Sequence, residues 1–372
     1  MINILICGGH LSPALAIIEK IQKDKRYKIY YLGRKSALEG DKAYSLEYNV
    51  IKRLNIAFKS IVTGRLQRSI TRYSLLSILK IPVGIIQSYY YLVIIKPRVV
   101  LSFGGYVSLP ICFASWLLRI PIITHEQTSI LGLANNIISR LSRILCTSFK
   151  DTQGIPKRVN VLYTGNPIRQ SIFKDEDNNI LGFGNNSLPL IYITGGNMGS
   201  RVINETVGEI IQMLSRRYRI LHQCGNADNE KDYKYLSNLK NNLPAYYIDN
   251  YKVIEQIDPY SIGTIYRNAK LIIGRGGANT VNEILAFGIT AIIIPLPWSG
   301  QDEQKKNALN IQSAGLGEVI NQEDLTPEVL LRAIDNLQNN TDINRQKFIK
   351  NQRIVQNAIA GKIVNLINSY CA

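Results

Sequence analysis

The stretch Leu271-Ile272-Ile273-Gly274-Arg275-Gly276-Gly277-Ala278-Asn279-Thr280-Val281-Asn282-Glu283 passes from an apolar run through a glycine turn into a segment with helical spacing. A short apolar run bounded by glycine reads as a strand buried on both faces. The following helix is predicted over about Asn279–Phe287, and its N-terminus opens into the same turn. Glycines there let a backbone approach a ligand, and first-turn N–H groups favour an anion. The same order recurs. Leu190–Thr194, the turn Gly195-Gly196-Asn197-Met198-Gly199 and a helix over Arg201–Ser215 repeat it. So do Ile2–Cys7, Gly8-Gly9-His10 and a helix to about Lys23, with Ser12 as N-cap and Pro13 as first helical residue. Val99–Phe103, Gly104-Gly105 and Leu109–Leu118 form another repeat, and Lys28–Leu32, Ile120–Thr124, Arg219–Gln223, Ala245–Ile248 and Thr290–Pro295 read as further strands. Alternating strands and helices with short turns predict an α/β protein with doubly wound parallel sheets in two blocks, parting near Thr164–Gln170. Ligands of such sheets bind at the C-terminal ends of the strands, where the glycine turns fall.

Charge divides the chain at the same place as the fold. Lys and Arg number 44 against 27 Asp and Glu, a net +17. Residues 1–170 hold 24 of the bases and 7 of the acids, so the second half is neutral. No acid occurs between Glu47 and Glu126, where ten bases lie. Such a field calls for a polyanion: nucleic acid, an anionic membrane surface or a phosphorylated substrate. Arg65, Arg68 and Arg72 interleave with Leu66, Ile70, Tyr73 and Leu76 at helical spacing, the layout of an interfacial membrane helix. No nucleic-acid-binding motif accompanies them, which disfavours nucleic acid as partner. Five scattered cysteines suggest a reducing compartment, and Val99–Leu118, though uncharged, is broken by Gly104-Gly105 and Pro110 and does not read as a membrane span. Composition, 46% hydrophobic and 19% charged, is that of a globular protein and excludes a disordered one.

All three histidines, His10, His125 and His222, follow apolar runs or sit in the turns after them, which makes each a candidate. None is spaced with another ligand for a metal, so no metal site is predicted. Glu283, one turn into its helix, could accept from two vicinal hydroxyls; otherwise it is a solvated carboxylate. Gln301-Asp302-Glu303-Gln304 could reach a sugar or simply lead into a helix.

Together these motifs resemble a family. Gly8-Gly9-His10 with Pro13-Ala14-Leu15-Ala16, Gly104-Gly105-Tyr106-Val107-Ser108 and His125-Glu126-Gln127 resemble N-domain signatures of the MurG-type N-acetylglucosaminyltransferases of bacterial cell-wall synthesis. Gly165-Asn166-Pro167-Ile168-Arg169, Gly195–Ser200, Arg275–Glu283 and Asp302–Ala308 resemble its linker and C-domain signatures. The resemblance implies a GT-B fold, two Rossmann-like domains facing a cleft: residues 1–163 with a returning helix over 353–372, a linker over 164–170, and a donor domain over 171–352. It implies transfer of N-acetylglucosamine from UDP-N-acetylglucosamine to the muramyl 4-hydroxyl of lipid I, giving lipid II, with inversion and without a metal or other cofactor. It places the enzyme peripherally on the cytoplasmic face of the cell membrane. Carried over, His10 is the candidate base. Arg169, Asn197, Ile248 (through its backbone, at uracil), Ala278, Asn279, Thr280, Val281, Asn282, Glu283 and Gln304 would hold the donor. Gly8, Gly9, Tyr106, His125, Glu126, Gln127 and Thr128 would line the acceptor side, and Arg65, Arg68 and Arg72 would face the membrane. The first loop is shorter than the family's Gly-Gly-Thr-Gly-Gly-His, Thr128 replaces the usual Asn, and the chain is longer around Ile254–Gly263. Two alternatives stand beside this: another GT-B glycosyltransferase with a lipid acceptor, of the diacylglycerol type, and a catalytically weak basic membrane-binding module.

Overall fold

The computed structural model describes residues 1–35, 44–63, 72–174, 181–183, 187–226, 230–337 and 345–371. The chain divides into two compact units, Met1–Arg169 with Val355–Ala372, and Gln170–Ile354. In the first, β1 (Ile2–Cys7), α1 (Leu11–Ile21), β2 (Tyr27–Gly33), α2 (Leu46–Arg53), β3 (Ala57–Ser60), α3 (Arg72–Ile95), β4 (Val99–Ser102), α4 (Ser108–Leu117), β5 (Ile122–Glu126), α5 (Leu133–Leu141), β6 (Ile144–Thr147) and β7 (Val161–Tyr163) alternate. Every strand pairing is parallel, in the order β3-β2-β1-β4-β5-β6-β7. The central strands β4 and β5 are buried along their whole length, as both faces carry helices.

The second unit repeats the plan with β8 (Leu190–Thr194), α6 (Arg201–Ser215), β9 (Arg219–Gln223), α7 (Lys231–Asn241), β10 (Tyr251–Ile254), α8 (Ile262–Asn268), β11 (Ala269–Gly274), α9 (Ala278–Phe287), β12 (Thr290–Ile293), α10 (Glu303–Ser313), β13 (Gly317–Val319) and α11 (Pro327–Leu337). Its parallel order is β10-β9-β8-β11-β12-β13. In each sheet the chain reverses direction beside the first strand, between β1 and β4 and between β8 and β11. Right-handed crossovers diverge at that point and leave a crevice at the strand C-termini, so the topology fixes where a ligand can sit.

The last helix, α12 (Arg345–Cys371), ends against the first unit. Lys20 Nζ donates to the Asn357 carbonyl and Oδ1 at 2.9 and 2.8 Å, and the Tyr27 hydroxyl to Asn368 Oδ1 at 2.7 Å.

Two local expectations are corrected. Helix α1 starts at Leu11 with His10 as N-cap, so Ser12 is not the cap; Pro13 sits in the first turn, where its missing N–H costs nothing. Ala245–Ile248 is not a strand. Pro244 opens a tight turn, its carbonyl accepting from the N–H groups of Tyr247 and Ile248, and the strand β10 begins at Tyr251.

One half-buried carboxyl is at odds with its surroundings. Glu47 on α2 lies against Gly33, where any Cβ would collide with its carboxyl, and burial raises its pKa to about 7 against a weak opposing bond from the Arg34 N–H. A raised carboxyl favours the fold fully below its unfolded value, and that advantage is lost as pH rises through 7. Glu47→Gln, uncharged throughout, should therefore gain on the order of 3 kcal/mol over wild type between pH 4.5 and 8. Urea unfolding at the two pH values measures this; an equal difference at both would refute it.

Candidate active site

In the first unit two glycine loops meet back to back at the C-terminal ends of β1 and β4. Gly8 has φ +138, and a Cβ there would lie 2.8 Å from the Cβ of Phe103. Its carbonyl accepts from the Tyr31 hydroxyl at 2.9 Å, and the Gly9 N–H donates to the Gly104 carbonyl at 3.2 Å. Gly104 and Gly105 have φ +67 and +76, and a Cβ on Gly104 would meet the Asn135 amide at 2.7 Å. Only glycine allows this approach. The shortened first loop is thus tied at both ends, and His10 follows at the open N-terminus of α1.

The His10 imidazole is half-buried, and burial lowers its pKa below 6.5 while the nearby Glu126 carboxylate pulls the other way. At neutral pH it is an uncharged ring able to accept a proton. His125 is deeper. Its Nε2–H donates to the Gly165 carbonyl at 3.0 Å, which leaves Nδ1 a buried acceptor without a partner among the described residues. Burial brings its pKa to about 4. Gln127 is also buried, with Oε1 unpartnered.

Glu126 and Thr128, expected on the acceptor side, turn inward instead. The Glu126 carboxylate accepts from the Thr128 N–H (3.1 Å), the Gly132 N–H (3.0 Å) and Asn135 Nδ2 (3.0 Å), with the Thr128 hydroxyl at 2.8 Å. A carboxylate so fully occupied staples the loop and has little left for a ligand. Its charge still reaches His10. Arg34, at the end of β2, was not foreseen; its guanidinium lies 4.8 Å from the Tyr106 ring centroid. The signal was legible, since Gly33-Arg34 ends a strand as the other site turns do.

The second unit builds its site on β8, β11 and β12. Gly195–Ser200 turns tightly, the Gly199 N–H donating to the Gly196 carbonyl at 3.1 Å and leaving Asn197 and Met198 exposed at the corner. Below it Gln223 Oε1 accepts from the hydroxyls of Tyr192 (2.5 Å) and Thr194 (3.2 Å), and Thr194 Oγ1 accepts from the Gly196 N–H at 3.0 Å. These supports were missed because they lie inside strands that read only as apolar. Gly277 caps α9 without a side-chain bond, so the N–H groups of Ala278, Asn279 and Thr280 open into the crevice as at any helix start. Glu283 is buried rather than solvated, 7% exposed. Gln304 joins them: its carbonyl packs against Gly276, and its Oε1 accepts from the Leu296 N–H at 3.0 Å. Gln301 and Asp302 just before it both hold φ +56, a strained pair of the kind found at ligand sites.

Four candidates change standing. Val281 is 3% exposed and its N–H is spent on the Gly277 carbonyl, so it is core. Ile248 precedes β10, at the N-terminal edge of the sheet, and packs on the core, away from the strand C-termini. Arg275 directs Nη1 and Nη2 at the carbonyls of Ile294 and Pro295, Ser200 Oγ and Gln322 Oε1. It is a half-buried cation with neutral partners, its pKa lowered to about 10 by burial, and it acts from behind the loop. His222 lies within β9, bonded to the Tyr251 hydroxyl and Asn204 Oδ1 at 3.0 Å each, its pKa lowered by burial to about 3; it is structural. Arg169 is buried and belongs to the first unit. Arg65 and Arg68 lie outside the described residues, and Arg72 opens α3.

Two all-parallel sheets of Rossmann order, each with glycine loops at its switch point, define a GT-B protein. Residues 7–144 match the glycosyltransferase family 28 N-terminal domain and residues 190–360 its C-terminal domain. A UDP-N-acetylglucosamine–N-acetylmuramyl-(pentapeptide) pyrophosphoryl-undecaprenol N-acetylglucosamine transferase of Clostridium kluyveri is 32% identical over 98% of this chain and 97% of its own. The enzyme of that name from Treponema denticola is 29% identical over 95% and 92%. The crystal structure of Acinetobacter baumannii MurG superposes with a TM-score of 0.63 at 24% identity, covering 99% of this chain and all of that one. The chain belongs to glycosyltransferase family 28, to its MurG-type members.

The two loop glycines of the second unit separate conformational from steric need. Both have φ +83, but nothing lies within 4 Å of a Cβ on Gly196, whereas one on Gly199 would strike the Cys224 carbonyl. Gly196→Ala should cost about 1 kcal/mol, the left-handed penalty alone. Gly199→Ala should lower the melting temperature several times further; equal losses in thermal melts would contradict the packing described.

Proposed function

We propose that the protein transfers N-acetylglucosamine from UDP-N-acetylglucosamine to the muramyl 4-hydroxyl of undecaprenyl-diphosphoryl-muramoyl-pentapeptide, forming lipid II in peptidoglycan synthesis. The observation that carries the reading is His10, an uncharged imidazole at the end of β1, beside the Gly104–Gly105 loop and at a helix N-terminus. Near-full-length similarity to transferases of that name supports it.

In the reaction the His10 imidazole takes the proton of the 4-hydroxyl as its oxygen attacks the anomeric carbon of the donor. The bond from that carbon to the diphosphate breaks on the opposite face, so the centre inverts. Charge accumulates on the departing UDP and is met by N–H groups of the Gly195–Ser200 loop and of the first turn of α9, with the Arg275 cation behind Ser200. This stabilisation draws on fixed dipoles and makes the reading metal-independent. The Glu283 carboxylate accepts from ribose hydroxyls, and the Gln304 amide binds the sugar.

The enzyme docks on the membrane by its first unit. Ile86, Tyr90 and Ile94 on α3 are 70%, 61% and 59% exposed, and Trp116 and Leu117 on α4 about half. So large an apolar patch, in a half of the chain rich in Lys and Arg, suits an anionic bilayer surface on its cytoplasmic side. No described helix is long and apolar enough to cross a membrane.

A radiolabelled transfer assay with lipid I tests the reaction; release of UDP with a diacylglycerol acceptor and none with lipid I would overturn it. His10→Gln should lower kcat about a hundredfold or more. Because the folded pKa of His10 lies below 6.5, wild-type kcat/KM should fall on acidification with a midpoint below pH 6.5. Wild-type turnover in the variant would remove His10 as base. Reversing Arg65, Arg68 and Arg72 to Glu should weaken sedimentation with anionic vesicles in a salt-dependent way. Unchanged sedimentation would move the membrane face elsewhere.

A further inference from the structure

Beneath Tyr106 lies a cavity of about 210 Å³ in the first unit that the reaction as described does not use. Ile81 and Ile85 of α3, Phe113 of α4 and Ile137 of α5 wall it, with Tyr106 at one end and Thr63 beside them. It is larger than the engineered apolar cavity of roughly 150 Å³ that stays dry and binds benzene. The wall is held firmly at Thr63: the Val62 N–H donates to Gln87 Oε1 at 2.8 Å, and Gly84 lets α3 close onto the Val62 carbonyl. The Thr63 hydroxyl is buried, 6% of the residue being exposed, and has no hydrogen-bond partner among the described residues. Among the described lining residues only Thr63 and Tyr106 carry a polar side chain.

Tyr106 connects two chemistries. On its chain side it continues the Gly104–Gly105 turn at the switch point, and the Arg34 guanidinium lies over its ring. On the other side it closes the apolar cavity. A ligand spanning both is an amphiphile with an anionic head at the glycine turn and a hydrocarbon chain running toward the exposed face of α3 and α4. An oxygen where chain meets head would satisfy the Thr63 hydroxyl. We propose that this cavity binds the first isoprenoid units of the diphosphate-linked prenyl acceptor, so that the enzyme grips the chain itself and does more than rest on the bilayer. The proposal builds on the acceptor class given above and adds to it a dedicated site for the hydrocarbon next to the diphosphate.

The test uses the full chain in detergent-free buffer, with farnesyl diphosphate and dimethylallyl diphosphate as probes of three and one isoprenoid units. Titration calorimetry should give at least about tenfold tighter binding of the longer probe, since its additional units leave water for an apolar wall. Ile137→Trp, at a partly exposed wall position, should fill the cavity and abolish that preference without changing binding of the shorter probe. Ile85→Trp fills it from the opposite wall and serves if the first variant does not fold by circular dichroism. Equal affinity of the two probes in wild type overturns the proposal, as does a preference that survives both substitutions. So does tighter binding of palmitate than of farnesyl diphosphate, which would assign the cavity to a bilayer acyl chain. Failure of the transferase reading is read separately, as farnesyl diphosphate binding with its chain-length preference in a protein that transfers no sugar to lipid I.

Discussion

The structure depends on backbone meeting backbone at the two switch points. In the first unit the Gly8 turn touches Phe103 and the Gly9 N–H reaches the Gly104 carbonyl; in the second, Gly274 at the end of β11 lies against the Thr194 carbonyl of β8, 2.8 Å from where its Cβ would be. Side chains at these positions would push β1 from β4 and β11 from β8. Because the glycines permit closure, helix N-termini converge where two crossovers part, and polar chemistry can sit over sheets whose interiors are apolar. Most groups assigned a role in the proposed reaction are positioned by one of these turns or by the helices that follow them; Gln304, at the start of α10, is held by the loop after β12.

Closure also explains how polar residues divide their labour. Glu126, Thr128 and Asn135 form one satisfied network, and His222, Asn204, Tyr251 and Asp232 another. Each holds a loop in place and has little capacity left for a ligand. Among the described residues, the groups near these turns left without a partner include His10, the His125 Nδ1 atom and Gln127 Oε1, together with the N–H groups that start α9. A half-buried Arg275 without an anionic partner keeps a positive charge behind Ser200, favourable where a diphosphate departs.

Much of the fold was legible because central strands of parallel sheets are unbroken apolar runs followed by glycine. The helix Arg201–Ser215 and the strands Ile2–Cys7 and Leu190–Thr194 stand where the sequence puts them. What escaped was at the edges. β3 and β7 are largely exposed, so Ala57–Ser60 and Val161–Tyr163 carry no buried pattern to read, and β13 spans only Gly317–Val319. Ala245–Ile248 misled because apolar residues after a proline can serve a turn that packs on the core. In the site, residue types were legible and their orientation was not. Sequence cannot say that Glu126 faces its own loop or that Val281 points into the core, because both depend on which side of a turn or helix the neighbouring sheet covers. The motif resemblance located the loops; the hydrogen bonds decide which side chains in them are free to act.

The central claim is that the nucleotide sugar belongs to the second unit, on the loops after β8 and β11. Hydrogen exchange of the full chain with and without UDP-N-acetylglucosamine tests it most directly. The account predicts slowed exchange at Gly195–Ser200 and Gly276–Asn282, with Gly8–His10 and Gly104–Tyr106 unchanged by donor alone. Protection confined to the first unit, or none in either glycine loop of the second, would contradict it.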